Sequence, residues 1–132
     1  MRKIFLAEDD EYLSRVYERA FRAREYELTM APDGEETLKV LSNPEYRPEA
    51  IILDLLLPKK NGEEILRAIK EDSRLKDIPV AILTNSFHKE DEERFLKLGA
   101  NLFMIKIDNM PFDVVEKVSS LIHTPDSPQA VA

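Results

Sequence analysis

Residues 48–62 read PEAIILDLLLPKKNG. Ala50 to Leu53 is apolar without a break and lacks the alternation of a strand that shows one face to water. It reads as a short strand buried on both faces, as in a parallel sheet covered by helices. One carboxylate, Asp54, follows it, then Leu55-Leu56-Leu57, a proline, two lysines and Asn61-Gly62. An unpaired carboxylate is expensive to bury. The stretch therefore predicts a strand whose end delivers Asp54 to the mouth of a sheet, with a loop above it. Asn61, with Glu64 three residues later, has the pattern of a capping box opening the next helix.

The same alternation extends in both directions. Ile4–Ala7 reads as a strand, followed by Leu13, Val16, Tyr17, Ala20 and Phe21 at helical spacing. Tyr26–Ala31 is a weaker strand. Pro32-Asp33-Gly34 is a turn, and Glu35–Leu41 a short helix with Leu38 and Leu41 inward. After the helix that buries Ile65, Leu66 and Ile69 come the strand Val80–Leu83 and a polar helix over Lys89–Leu98, stopped by Gly99. Leu102–Ile105 is a fifth strand. Pro111 suits the first turn of a last helix with Val114, Val115, Val118, Leu121 and Ile122 as its stripe. Met104, Ile107, Met110 and Phe112 read as core or partner surface; Phe112 is expected in the core, and Ile107 and Met110 are left open. Five strands alternating with five helices predict an α/β fold, a doubly wound parallel sheet with helices on both faces. Residues 1–123 read as one domain and 124–132, TPDSPQAVA after His123, as a disordered tail.

Composition narrows the function. The chain has 132 residues, no cysteine and a net charge of −7. Thiol redox chemistry and thiolate metal sites are excluded. The acidic balance argues against a nucleic-acid partner. No apolar stretch reaches membrane-spanning length, and the N-terminus lacks a signal-peptide core, so the expected location is cytoplasmic. With three glycines, Gly34, Gly62 and Gly99, no Gly-rich phosphate loop can be built.

In open parallel sheets ligands bind beyond the carboxyl ends of the strands. The residues placed there are Glu8-Asp9-Asp10, Asp54, Thr84-Asn85-Ser86 and Lys106, from four strands. Clustered carboxylates favour a hard divalent cation such as Mg²⁺. A lysine and a threonine hydroxyl suit phosphoryl oxygens. An aspartate can itself act as a nucleophile. Such a set supplies what phosphoryl transfer mainly needs, positioning and charge neutralisation. Asp10 reads as a helix cap, Lys59 and Lys60 as a solvated loop, and His88 and His123 as surface residues without a ligand partner at metal spacing.

The motifs IFLAEDD, IILDLLLPKKNG, AILTNS and GANLFMIK, in this order over roughly residues 2–122, resemble the receiver domain of two-component response regulators, including single-domain chemotaxis-type receivers. The resemblance implies a flavodoxin-like sheet of order 2-1-3-4-5, an order known for a chemotaxis receiver. It implies Asp54 as phosphoacceptor and Mg²⁺ bound by Asp9, by Asp54, by the backbone carbonyl of Leu56 and, largely through water, by Glu8. Thr84 would be the switch hydroxyl, Phe103 the aromatic switch and Lys106 the phosphate-pairing lysine. The implied phosphodonor is a histidine kinase or histidine phosphotransfer protein. The implied output is a downstream protein contacted through the helix 4–strand 5–helix 5 face, by a monomer or weak homodimer.

The sequence departs from the family in three places. Ile107 stands where a proline usually follows the lysine, so the bond is expected to be trans or its loop strained. Phe103 lacks the hydroxyl of the commoner tyrosine. Leu56, two past Asp54, is apolar, and its side chain is expected near the acyl phosphate as a screen against water. Alongside a phosphorylation-driven stand-alone receiver, which is no enzyme beyond its own phosphorylation and slow dephosphorylation, stands a degenerate receiver used as a phosphate-indifferent binding module. An aspartate-nucleophile phosphatase is a third reading, but it would need an acid/base aspartate where Leu56 stands.

Overall fold

Each of the five apolar runs forms a strand. The computed structural model describes residues 1–85 and 88–122. In chain order these hold β1 (Arg2–Ala7), α1 (Glu11–Arg22), β2 (Tyr26–Ala31), α2 (Gly34–Leu41), β3 (Ala50–Leu53), α3 (Gly62–Glu71), β4 (Val80–Thr84), α4 (Lys89–Lys97), β5 (Leu102–Ile105) and α5 (Pro111–Ile122). The strands form one sheet of order β2-β1-β3-β4-β5, and every pairing is parallel. The expected doubly wound flavodoxin-like α/β fold is the observed one. Ser86, His123 and the tail 124–132 lie outside the described residues.

Alternate strand residues serve the two faces. Phe5, Ala7, Ile51, Leu53, Val80 and Ile82 pack against Leu41 of α2, Ile65, Leu66 and Ile69 of α3 and Phe95 of α4. Ile4, Leu6, Ala50, Ile52, Ala81, Leu83 and Met104 pack against Tyr17 and Phe21 of α1 and Val114, Val115 and Val118 of α5. The continuous apolar character of Ala50–Leu53 thus has its cause: both pleat faces meet helices. Burying each large side chain of these layers stabilises the fold by about 1.5–3 kcal/mol.

Caps hold the helices to the strand ends. Asp10 Oδ1 accepts from the Leu13 amide at 3.0 Å, so its expected capping role is observed. Asp33 Oδ1 accepts from the Glu36 amide at 2.8 Å. Asn61 and Glu64 form both halves of the capping box, at 3.0 and 3.2 Å. Gly99 stops α4 at φ +114°, and the Ala100 amide closes back on the Phe95 carbonyl at 3.0 Å.

Three expectations change. Phe112 is 64% exposed rather than in the core. It stands two residues before Val114, about half a turn round the helix from that buried side chain. Ile107 and Met110 are exposed as well. Lys59 does more than sit in solvent: it adopts φ +73°, and its Nζ lies 3.6 Å from Asp33 and 3.5 Å from Glu35. With the Gly34 amide donating to the Pro58 carbonyl at 3.0 Å, this ties the β3–α3 loop to the start of α2. The third is a turn that periodicity did not signal, the 3-10 segment Lys106–Asp108. Its Lys106–Ile107 bond is trans. Among the described residues, no helix is long and apolar enough to cross a membrane.

Gly62 is fixed by close approach. Its amide donates to the Leu55 carbonyl at 3.1 Å. A Cβ there would stand 2.8 Å from both the Asp54 carbonyl oxygen and Leu55 Cα. Gly62→Ala should therefore lose about 1–3 kcal/mol, read as a lower urea midpoint at unchanged slope. An unchanged midpoint would mean the loop relaxes freely.

Candidate functional site

Register decides which side chains meet. Ala7 of β1 is paired with Leu53 of β3, so the residues that follow them, Glu8 and Asp54, leave the sheet side by side. The Asp54 amide donates to the Ala7 carbonyl at 3.3 Å. On the other flank Thr84, the last residue of β4, is paired with Ile105, and Lys106 comes next.

Lys106 crosses the strand ends to reach the carboxylates. Its Nζ donates to Asp54 Oδ2 at 2.7 Å and lies 2.5 Å from Glu8 Oε1. The lysine covers what it pairs: Asp54 is only 5% exposed and Glu8 3%. Asp54 is thus at the strand end, as expected, but beneath an ammonium group rather than open at a mouth. Asp54 Oδ1 accepts from the Leu56 amide at 3.1 Å. Glu8 Oε2 accepts from the Asp10 amide at 3.0 Å. Asp9 is exposed beside them. Thr84 is fully buried at the end of its strand.

The electrostatics follow from burial. Desolvation pushes the Glu8 carboxyl above its ordinary value, and the Lys106 contact only partly offsets this. Burial alone would lower the Lys106 ammonium, but its hydrogen bond to Asp54, its close contact with Glu8 and the charge of both outweigh that and hold it above the ordinary value.

A divalent cation suits this set. Glu8, Asp9 and Asp54 each place a carboxylate oxygen within 4.8 Å of the others. Against these three carboxylates stands one ammonium. Glu8 Oε1 is buried in charge contact with Lys106 yet lacks an aligned hydrogen bond, which leaves a lone pair for another electropositive group. An oxygen-only donor set is that of a hard ion such as Mg²⁺.

The remaining expected residues lie around this centre. Phe103 is partly buried in β5 against the layer that contains Phe95. Leu56 is 66% exposed and lines a groove with Asn61, Glu63 and Arg94 at the edge of α4. His88 is exposed, preceding α4 without a side-chain cap. Two contributors had no legible role in the sequence. Asn109 is buried behind Lys106 and donates through Nδ2 to the Ile105 carbonyl at 2.9 Å. Ser14 Oγ donates to the Glu8 carbonyl at 3.4 Å. Each acts on backbone only four or six residues away, through a side-chain contact that apolar periodicity does not signal.

The family model for the response regulator receiver domain matches residues 4–116, and the chain belongs to that family, the receiver module of two-component signalling. Response regulator Rcp1 of Synechocystis sp. is 35% identical, over 89% of this chain and 86% of the relative. The polar-differentiation response regulator DivK of Brucella anthropi is 30% identical, over 83% and 88%. Among solved structures, the Mn²⁺-bound form of Rcp1 superposes with a TM-score of 0.83 at 32% identity, covering 97% of this chain and 99% of that one. The phosphorylated cyanobacterial phytochrome response regulator RcpA gives 0.76 at 32% identity, covering 92% and 91%.

Lys106→Met tests the charge balance. A raised lysine pKa contributes stability that is complete below the unfolded value of 10.5 and is lost as pH climbs through the folded one. In chelator at neutral pH the variant should lose about 3 kcal/mol, because Glu8 and Asp54 remain buried without a counter-charge. Its stability should also fall less than that of wild type as pH rises beyond about 10. Urea unfolding across pH measures both. Equal stability and parallel profiles would contradict the account.

Proposed function

We propose that the chain is a receiver over residues 1–123, which accepts a phosphoryl group on Asp54 from a histidine kinase or histidine phosphotransfer protein. The observation that carries the reading is the meeting of Asp54, Glu8 and Lys106 at a buried point where one carboxylate oxygen is already held by an ammonium group. Asp54 would attack phosphorus as the bond from phosphorus to the donor imidazole nitrogen breaks. The imidazole leaves with the electron pair of that bond. Lys106 would then pair a phosphoryl oxygen in place of the carboxylate it holds now. The Thr84 hydroxyl would donate to a second oxygen.

Glu8, Asp9, Asp54 and the Leu56 carbonyl would hold Mg²⁺, Glu8 largely through water. When bound, the ion supplies positive charge that neutralises the incoming phosphoryl oxygens. The Mn²⁺-bound Rcp1 structure and the phosphorylated RcpA structure name divalent-ion binding and phosphorylation in relatives, which supports the reading.

The output would be a change of protein contacts, not catalysis on another substrate. A phosphoryl group brings roughly two negative charges, and Thr84 and Phe103, on adjacent strands, would pass the change to the face of α4, β5 and α5. A downstream protein would read that face, the chain acting as a monomer or weak homodimer in the cytoplasm. The net charge of −7 supports a protein rather than a nucleic-acid target. Convergence of the whole set of Glu8, Asp9, Asp54, Thr84 and Lys106 favours this reading over a phosphate-indifferent module.

Intact mass after incubation with acetyl phosphate tests it. Wild type should gain one phosphoryl group only with Mg²⁺, and Asp54→Asn none. Gain by the variant would move the acceptor elsewhere, and no gain by wild type would remove the reading. In the same assay Leu56→Asn should lose the group faster than wild type once donor is withdrawn, since an exposed amide can hold water that an apolar side chain does not. An equal or slower loss would remove Leu56 as a screen.

A further inference from the structure

Lys106 is the first residue of a single 3-10 turn, so its reach depends on how that turn is held. The turn is supported from behind. The Asn109 amide closes on the Lys106 carbonyl at 3.2 Å. Asn109 Nδ2 donates to the Ile105 carbonyl at 2.9 Å, and Asn109 Oδ1 accepts from Lys117 Nζ of α5 at 2.6 Å. In front the support is different. Ile105, which precedes the turn, offers no side-chain cap, and the first amides of a helical turn have no partner within it. The Ile107 side chain is 83% exposed, so apolar packing does not hold that side. Instead the Ile107 amide donates to Asn85 Oδ1 at 3.2 Å, across from the end of β4.

We propose that Asn85 is a positioning residue for Lys106, supplying from the neighbouring strand the cap that the turn lacks. The inference rests on the reading of Asp54 as phosphoacceptor. Asn85 directly follows Thr84. The strand end that carries the hydroxyl therefore also fixes the turn that carries the ammonium: beyond the sheet pairing of Thr84 with Ile105, one side-chain-to-backbone hydrogen bond ties the two phosphoryl-binding groups into one frame. A shift of Thr84 moves the cap of the Lys106 turn with it.

The test compares phosphorylation rates with acetyl phosphate and Mg²⁺ for wild type, Asn85→Ala, Lys106→Ala and the double variant, with amide exchange at Ile107 measured alongside. One lost hydrogen bond should slow Asn85→Ala about three- to tenfold. The Lys106→Ala chain is slower on its own account and should be slowed no further by Asn85→Ala, because the cap then positions nothing that reacts. Ile107 amide exchange should quicken in Asn85→Ala. An Asn85→Ala rate equal to wild type, the same slowing in the Lys106→Ala background, or unaltered Ile107 exchange would each overturn the positioning role while leaving Asp54 phosphorylation intact. A wild-type chain that takes no phosphoryl group would overturn the acceptor reading, and this one with it.

Discussion

Three carboxylates on adjoining strand ends, opposed by one lysine, are the constraint on which the rest of the structure depends. Parallel register places Glu8 and Asp54 side by side because Ala7 and Leu53 are paired. Neither acid has room to turn away: one oxygen of each accepts a backbone amide, from Asp10 and from Leu56. Lys106 relieves the repulsion by lying across both at 2.5 and 2.7 Å. The arrangement is poised. The ammonium is bound where it stands, and a divalent ion among the same oxygens would compete for the partners it holds.

The scaffold around this centre is unequally anchored. α3 buries Ile65, Leu66 and Ile69, and the close approach of Gly62 to the Asp54 and Leu55 backbone presses its start against the acceptor loop. The same loop is tied to α2 through Lys59 and the Pro58 carbonyl. α4 is different: Phe95 is its one buried residue among the described ones. An ion pair between Arg94 and Glu63 of α3 holds it from outside, and Arg94 also lies 5.5 Å from the Phe95 ring centroid. A helix with so little apolar anchorage costs least to shift, and it stands on the face proposed to carry the output.

Much of the fold was legible because parallel, doubly covered strands leave an unmistakable apolar pattern, and because Asp10, Asn61 and Gly99 are cap residues with a local mechanism. The site was legible for a topological reason: alternation sends every strand end to one rim, so Glu8, Asp54, Thr84 and Lys106 could be gathered without distances. What escaped was long-range or rotational. The 3-10 turn at Lys106 is held in front by Asn85, 22 positions away from Ile107, which no periodicity signals. Phe112 is apolar yet exposed, since hydrophobicity states a preference for burial while the helix's rotation decides it. The burial of Asp54 was misjudged because the lysine that covers it arrives from 52 positions away.

The central claim is that Lys106 holds in the resting protein the place that a phosphoryl group takes in the activated one. A crystal structure with Mg²⁺ and beryllofluoride, a phosphoryl mimic, tests it most directly. The account predicts fluoroberyllate bonded to an Asp54 oxygen, with Lys106 Nζ moved from that carboxylate onto a fluorine and Glu8 freed toward the metal. Fluoroberyllate bound away from Asp54, or bound there with Lys106 still paired to Glu8 and making no fluorine contact, would contradict it.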